Sequence, residues 1–270
     1  MTHIRFACQT YSWQLTIDAY RGRLEHMISV SAKAGFAGLE PEVVMLGDDW
    51  TASGLRSPLA DHGVRLAALC LVEDWSGPRE TEVEAAEADK AIEAVAGIDG
   101  AIINLCQYPG LNRANLRTRQ DNLLSCVDAV SARAAAAGVH CTFHPNSPAG
   151  SVFRTDADYE YLLANLPERI GFTPDLGHLA KGGMDPMDVV SRHRDRVDHV
   201  HVKDMHADGS WARTGEGIID IPAITKFLAG TDFAGWIVLE DESPDAEANP
   251  DQAVTRNGAY VRDVLEAVIN

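Results

Sequence analysis

Basic residues are scarce in this 270-residue chain: 23 Lys and Arg stand against 40 Asp and Glu, a formal charge of −17. A surface of that sign repels phosphate backbones and anionic membranes, which argues against nucleic acid as a substrate and against a membrane partner. No stretch approaches the roughly 20 apolar residues of a membrane helix. The opening MTHIRFACQTYSW lacks the apolar core and small-residue cleavage site of a secretory signal. The five cysteines, Cys8, Cys70, Cys106, Cys126 and Cys141, form no CxxC pair and are irregularly spaced. Free buried thiols in a reducing compartment are therefore expected, and with them a cytoplasmic location. No GxGxxG or GxxxxGK[ST] follows the first apolar run, which removes the usual nucleotide-binding signature of a doubly wound open sheet. No linker-like or low-complexity stretch interrupts the chain, so residues 1–270 read as a single domain.

What is present is a repeat. Short apolar runs begin near Ile4, Phe36, Val64, Ala101, Val139, Ile170, Val197 and Trp236, eight in all, each followed by a longer stretch of helical pattern. The spacing is about one β-loop-α-loop unit, and the fold class it predicts is α/β, a (β/α)8 TIM barrel. Gly35, Gly63, Gly138 and Gly235 each precede a run, where a helix C-terminus needs a residue tolerant of positive φ. Helices are expected over Gly22–Ala34, Glu80–Ala96, Asn115–Ala137 and Asp156–Leu166, the last capped by Asp156, with Asn249-Pro250 starting a final one. The hydrophobic fraction of 46% is enough for a sizeable core.

In such a barrel chemistry gathers at the C-terminal ends of the strands, and side-chain alternation assigns the faces. In HCTFHPN, Cys141 and Phe143 suit the helix-facing side, leaving Thr142, His144 and Asn146 inward. In IGFTPDLGH, Asp175 points inward with Thr173, and His178 lies just beyond. VDHVHVKD sends His199, His201 and Lys203 inward, and WIVLED does the same with Val238 and Glu240. Four consecutive strands thus deliver an imidazole or carboxylate to one rim. A lone polar residue at a strand end is commonly just a hydrogen-bonded loop residue; four at matching depth would be an expensive coincidence without an ion to share. His144, Asp175, His201 and Glu240 are the predicted ligands of one divalent metal ion, Mn2+ first, with Co2+, Mg2+, Fe2+ and Zn2+ as alternatives.

Other residues are candidates for substrate contact. Gln9 and Trp13 flank the end of the first run, Glu40 ends the second, Trp75 follows the third, Gln107 ends the fourth, and Arg213 lies in the loop after the seventh. Glu40 can equally pair with a neighbouring base and the two tryptophans can equally pack in the core, whereas Arg213 and His206, in the same loop, read first as surface residues. The acidic DESPDAEANP segment reads as a solvated loop.

At FHPN, DLGH, HVHVKD, TGEGIID and GWIVLEDESPDAEANP the sequence resembles the xylose-isomerase-like barrels, which include sugar isomerases, epimerases and inosose dehydratase. The resemblance spans the chain, is strongest from Val139 onward, and is closest to the dehydratase branch. It places the metal ligands at the same His144, Asp175, His201 and Glu240, makes His178 a substrate-contacting histidine and singles out Lys203. In the isomerase and epimerase branch the fifth-strand ligand is usually Glu, half of a two-glutamate proton-transfer pair; here it is His144. Asn146 departs in the other direction, since the dehydratase often has His there. The resemblance implies α-proton abstraction from a keto-sugar or keto-cyclitol through a metal-stabilised enediolate, followed by β-elimination. His178, Lys203 and Glu240 are the acid–base candidates. The alternatives are a sugar isomerase or epimerase, a lyase cleaving C-glycosides of 3-keto sugars, and a barrel that only binds. A homo-oligomer or a small accessory subunit is compatible with the sequence.

Overall fold

The computed structural model describes residues 4–269. Its strands are β1 (Arg5–Gln9), β2 (Gly38–Glu40), β3 (Arg65–Leu66), β4 (Ala68–Glu73), β5 (Ile102–Gln107), β6 (His140–His144), β7 (Ile170–Phe172), β8 (His199–Val202), β9 (Asp204–Met205), β10 (Trp211–Ala212) and β11 (Trp236–Leu239). Parallel pairing runs β3-β2-β1-β11-β8 and β4-β5-β6-β7. β3 and β4 form one stave that turns at Ala67, pairing first with β2 and then with β5. The other seam is closed by parallel bridges Phe172–Val197 and Asp175–His201. The result is a closed barrel of eight staves, each beginning within a few residues of an expected apolar run. β9 and β10 form a separate antiparallel ribbon in the loop after β8.

Helices occupy Leu24–Ala34, Glu82–Val95, Leu116–Ala136 and Asp156–Asn165, inside the expected ranges. The cap of the last is Thr155 rather than Asp156: the Asp158 carboxylate turns back to accept the Thr155 N–H at 2.8 Å, so the acid that counts sits at the third helical position. Asn249 caps the helix Pro250–Tyr260 as expected, accepting from Gln252 N at 3.1 Å. Gly35, Gly63 and Gly138 take φ of +96°, +68° and +73° at helix exits. Gly235 does not share that conformation. It is glycine because a Cβ there would run into the Asp198 carbonyl and the Phe233 ring, a close approach of two strand entrances.

Most of the core lies between staves and helices, and Cys141, Phe143, Val200, Val202, Ile237 and Leu239 join it, as strand parity requires. Inside the barrel a small second cluster of Ala7, Ala67, Trp236 and Val238 plugs the lower end, with the Arg5 guanidinium 4.2 Å from the Trp236 ring. All five cysteines are buried and free. No helix among the described residues is long and apolar enough to cross a membrane.

Candidate active site

Above the apolar plug the barrel interior becomes polar. Thr142 and Thr173 bond to each other at 2.8 Å across adjacent staves. Glu40, fully buried, faces both imidazoles of β8: Oε2 meets His199 Nε2 at 2.6 Å and Oε1 meets His201 Nε2 at 3.0 Å. Asn104 Nδ2 donates to the same Oε1 at 2.9 Å. Burial works against a charged Glu40, but the attraction and hydrogen bonds of His201 and His199 hold it well below the usual carboxylate range. Glu40 is thus a support under the site and not part of the cavity wall, which corrects the expectation of a substrate contact. By occupying His201 Nε2 it leaves Nδ1 aimed upward, 3.2 Å from Glu240 Oε2. Burial would lower His201, yet Glu40 and Glu240 together raise it to about 10.

His144, Asp175, His201 and Glu240 converge at this level. Donor atoms of Asp175, His201 and Glu240 lie within 4.8 Å of one another, and so do those of His144, Asp175 and His178, with Asp175 common to both sets. The seam bridge between Asp175 and His201 fixes two of these backbones directly. Both ring nitrogens of His144 and Oδ2 of Asp175 are buried without a hydrogen-bond partner among the described residues. Buried polar atoms are seldom left unmatched, and here the unmatched ones are lone-pair donors 3.6 Å apart. Burial, with the charge on His201, lowers the His144 pKa, favouring the neutral form a ligand needs. The donor set, two imidazoles and two carboxylates, fits a hard or borderline divalent cation.

Over these residues opens a cavity of about 400 Å3, bordered by Gln9, Glu42, Gln107, His178, Trp211 and Glu242 among others. His178 contacts Ser147 Oγ through Nδ1 at 2.8 Å, and burial together with Lys203 pushes it down to about 3, so the ring is neutral. Lys203 is buried behind this wall and does not border the cavity. Its ammonium is shared among Glu240 Oε1 at 2.7 Å, Glu242 Oε1 and His178 Nε2 at 3.2 Å. Burial opposes that charge, but Glu240, Glu242 and Asp175 hold it well above the ordinary lysine value. Glu240, despite burial, is drawn down to about 2 by Lys203 and His201, whereas burial lifts Glu242 to about 7.

The remaining sequence candidates separate. Gln9 and Gln107 border the cavity. Trp13 and Trp75 do not: both are fully buried in the core, Trp13 donating to Asp251 Oδ1 at 2.7 Å. Arg213 lies on the exterior, paired with Asp245 and Glu216. His206 is exposed, as its loop position suggested. The acidic segment after β11 is not simply solvated, since Asp241 and Ser243 are buried and Glu242 faces the cavity. Glu42, Glu242, Tyr11 and Trp211 went unread in the sequence. The two glutamates each lie two residues beyond an inward strand-end glutamate, a continuation of the same parity that was available to be followed.

Residues 28–263 match the xylose isomerase-like TIM barrel family. The chain belongs to that family. Among curated relatives, the rhizopine catabolism protein MocC of Rhizobium meliloti is 33% identical over 44% of this chain and 41% of its own length. An inosose dehydratase of Lacticaseibacillus casei is 27% identical over 56% of the chain and 55% of its own length. The chain thus spans about half the length of these first relatives. An inosose dehydratase of Geobacillus thermodenitrificans aligns over 88% of the chain and 89% of its own length at 23% identity. The fold recurs in a zinc-containing IolI protein, with a TM-score of 0.76 at 14% identity covering 98% of this chain and 99% of that one. It recurs also in the 3-keto-D-glucoside 4-epimerase YcjR of E. coli, with a TM-score of 0.74 at 17% identity covering 97% and 100%.

Proposed function

We propose that the protein is a divalent-metal-dependent lyase that eliminates a β-substituent from a keto-sugar or keto-cyclitol. The observation that carries this reading is the unmatched donor set of His144 and Asp175, completed by His201 and Glu240, beneath a cavity of about 400 Å3. These four residues would hold the ion, Mn2+ first among the candidates. When bound, such an ion supplies a Lewis acid that lowers the cost of negative charge on a carbonyl oxygen. The relatives named inosose dehydratase support a lyase, as does His144 at the fifth-strand position, where the proton-exchanging branch carries Glu.

Elimination has three requirements. A base takes the proton on the carbon beside the ketone, that electron pair becomes the new double bond, and the β-substituent departs with its bonding pair and collects a proton. Glu242 is placed to be the base, since it faces the cavity beside the ligand set without belonging to it. His178, neutral and facing the cavity, has Nδ1 on Ser147 and Nε2 on Lys203, so it would meet the substrate with its ring while it holds the cavity wall in place. Lys203 acts through its neighbours as a positioning residue, orienting Glu240, Glu242 and His178 from behind. The test is product mass after incubating the Mn2+-loaded protein with inosose or a 3-keto glucoside. Loss of water or of the aglycone is the expected result; an unchanged mass with an altered sugar would mean epimerase or isomerase chemistry instead.

A further inference from the structure

Gln9 and Gln107 are both buried and both border the cavity, and the groups that already bind each amide decide which end is free. A backbone N–H only donates and a backbone carbonyl only accepts, so each fixes the end of a side-chain amide that it meets. Gln9 ends β1, and its Oε1 accepts the Tyr11 N–H. Its Nε2 is the end left over, with no hydrogen-bond partner among the described residues. Gln107 ends β5, three staves round the barrel. Its Nε2 donates to the Asp74 carbonyl at 2.6 Å, and its Oε1 has no partner among the described residues. The two side chains therefore present opposite ends, Gln9 a donor and Gln107 an acceptor.

The Asp74 carbonyl is itself held in place. The next residue, Trp75, is fully buried with φ of +41°, a left-handed conformation that a bulky side chain adopts only where its surroundings enforce it. Glu84 enforces it: Oε1 accepts the Trp75 N–H at 2.7 Å while Oε2 accepts the Thr81 N–H at 2.6 Å, at the start of the helix Glu82–Val95. On the other flank the Gln107 carbonyl accepts Asn146 Nδ2 at 2.7 Å. Asn146 borders the cavity too, but both ends of its amide are taken, Oδ1 by Ser151 Oγ and Nδ2 by Gln107 and the Cys106 thiol. It holds Gln107 and has no free end for a ligand. Position then gives the two free ends a meaning. β1 pairs with β11, the stave of Glu240, and β5 pairs with β6, the stave of His144. The two amides bracket the arc of four proposed ligands.

We propose that Gln107 and Gln9 are specificity-determining residues that read the ring oxygens on either side of the substrate's metal-facing edge, each in one hydrogen-bonding sense. This rests on the reading of a polyhydroxylated ring as substrate given above. A hydroxyl donates to Gln107 Oε1. An ether or keto oxygen there cannot, and leaves a buried acceptor facing a second acceptor. At Gln9 Nε2 any oxygen that accepts is sufficient. The site therefore requires a free hydroxyl on the β5 side and tolerates a substituted or oxidised one on the β1 side.

Calorimetry on the Mn2+-loaded protein tests this without turnover. myo-Inositol and methyl glucoside are ketone-free rings of the two substrate types. The tighter binder is compared with its monodeoxyfluoro derivatives, in which fluorine keeps nearly the size of a hydroxyl but cannot donate. In the wild type, fluorine at the ring position facing Gln107 is expected to weaken binding by about tenfold or more, and fluorine facing Gln9 by less than about threefold. Gln107→Leu, which has no acceptor, is expected to abolish the first penalty and leave the others. Gln9→Glu keeps the acceptor for the Tyr11 N–H but replaces the donor with a second acceptor, so a new penalty of about tenfold is expected at a position the wild type tolerates. A merely structural part for either residue would weaken all ligands alike and leave the pattern of penalties unchanged. That result overturns the assignment, as does failure of both parent rings to bind. The product-mass assay is independent of it: elimination without this pattern keeps the lyase reading and removes the two amides, and the pattern without elimination does the reverse.

Discussion

Glu40 shows how one carboxylate can matter to the proposed metal centre without being among its four proposed ligands. It fills His201 Nε2 and so presents Nδ1 to the ligand set, a role that falls to the outer partner of a ligating histidine. Glu40→Gln keeps the shape but can accept from only one of β8's two imidazoles and gives up the charge. Its Mn2+ affinity, measured by titrating metal-free protein, is expected to fall by about 10–100-fold. An unchanged affinity would mean that His201 needs no such orientation. The quartet was legible because inward alternation is a property of the strand alone. The rank of Glu40 against Glu42 was not, because it depends on how far each stave rises before its loop turns. Likewise Lys203 was found by its motif, but only packing shows that His178, Glu240 and Glu242 stand between it and the cavity.

At the scale of elements, the TGEGIID turn acquires a physical reason. Asp204, buried directly after Lys203, accepts backbone N–H groups of Met205 at 2.8 Å, Gly215 at 3.0 Å, Gly217 at 2.9 Å and Ile219 at 3.3 Å. A Cβ at Gly217 would collide with that carboxylate, so the K-D and G-E-G motifs are halves of one lock. Asp204→Ala leaves several donors unmatched and is expected to cost about 2–3 kcal/mol in denaturant unfolding. A loss below about 0.5 kcal/mol would show that water replaces the carboxylate at no cost. At the lower end of the barrel His140 on β6 pairs with Asp198, just before β8. The hydrogen bond to Asp198 raises the His140 pKa above the ordinary histidine value of 6.5. A raised folded value means stabilisation present in full below about 6.5 and lost as pH climbs through the folded value. His140→Asn should therefore flatten the fall in stability above about pH 6.5 relative to wild type. A slope identical in both proteins would remove His140 from the account. Eight apolar runs and the helical stretches between them were legible in advance because each follows from local periodicity. The reason for Gly235 was not, since it lies in contact with Asp198 and Phe233 rather than in its own φ.

For the molecule as a whole, the four proposed ligands stand on four successive staves of the closed barrel, β6, β7, β8 and β11, each at or just past its end. One seam, between β7 and β8, is held only by two isolated bridges among the described residues, and one of them is Asp175–His201. An ion bound there closes the barrel at its weakest lateral join, and it binds the folded chain far better than the unfolded one, in which the donors are scattered along nearly 100 residues of sequence. Mass action then sets the stabilisation: at a free metal concentration 100 times Kd it is about 2.7 kcal/mol. For a chain of 270 residues, at about 2 cal/mol/K of unfolding entropy per residue, that corresponds to a rise in Tm of about 5 °C. The comparison is between chelator-treated protein and the same protein with excess Mn2+, with His144→Ala as the variant that should lose most of the shift. Mg2+, which prefers oxygen ligands, should protect less than Mn2+ at equal concentration because two of the four donors are imidazoles. A Tm indifferent to chelator and metal alike would mean that the four donors do not gather an ion. The unmatched nitrogens of His144 would then need another partner, and the acid–base assignments built around the cavity would lose their electrophile.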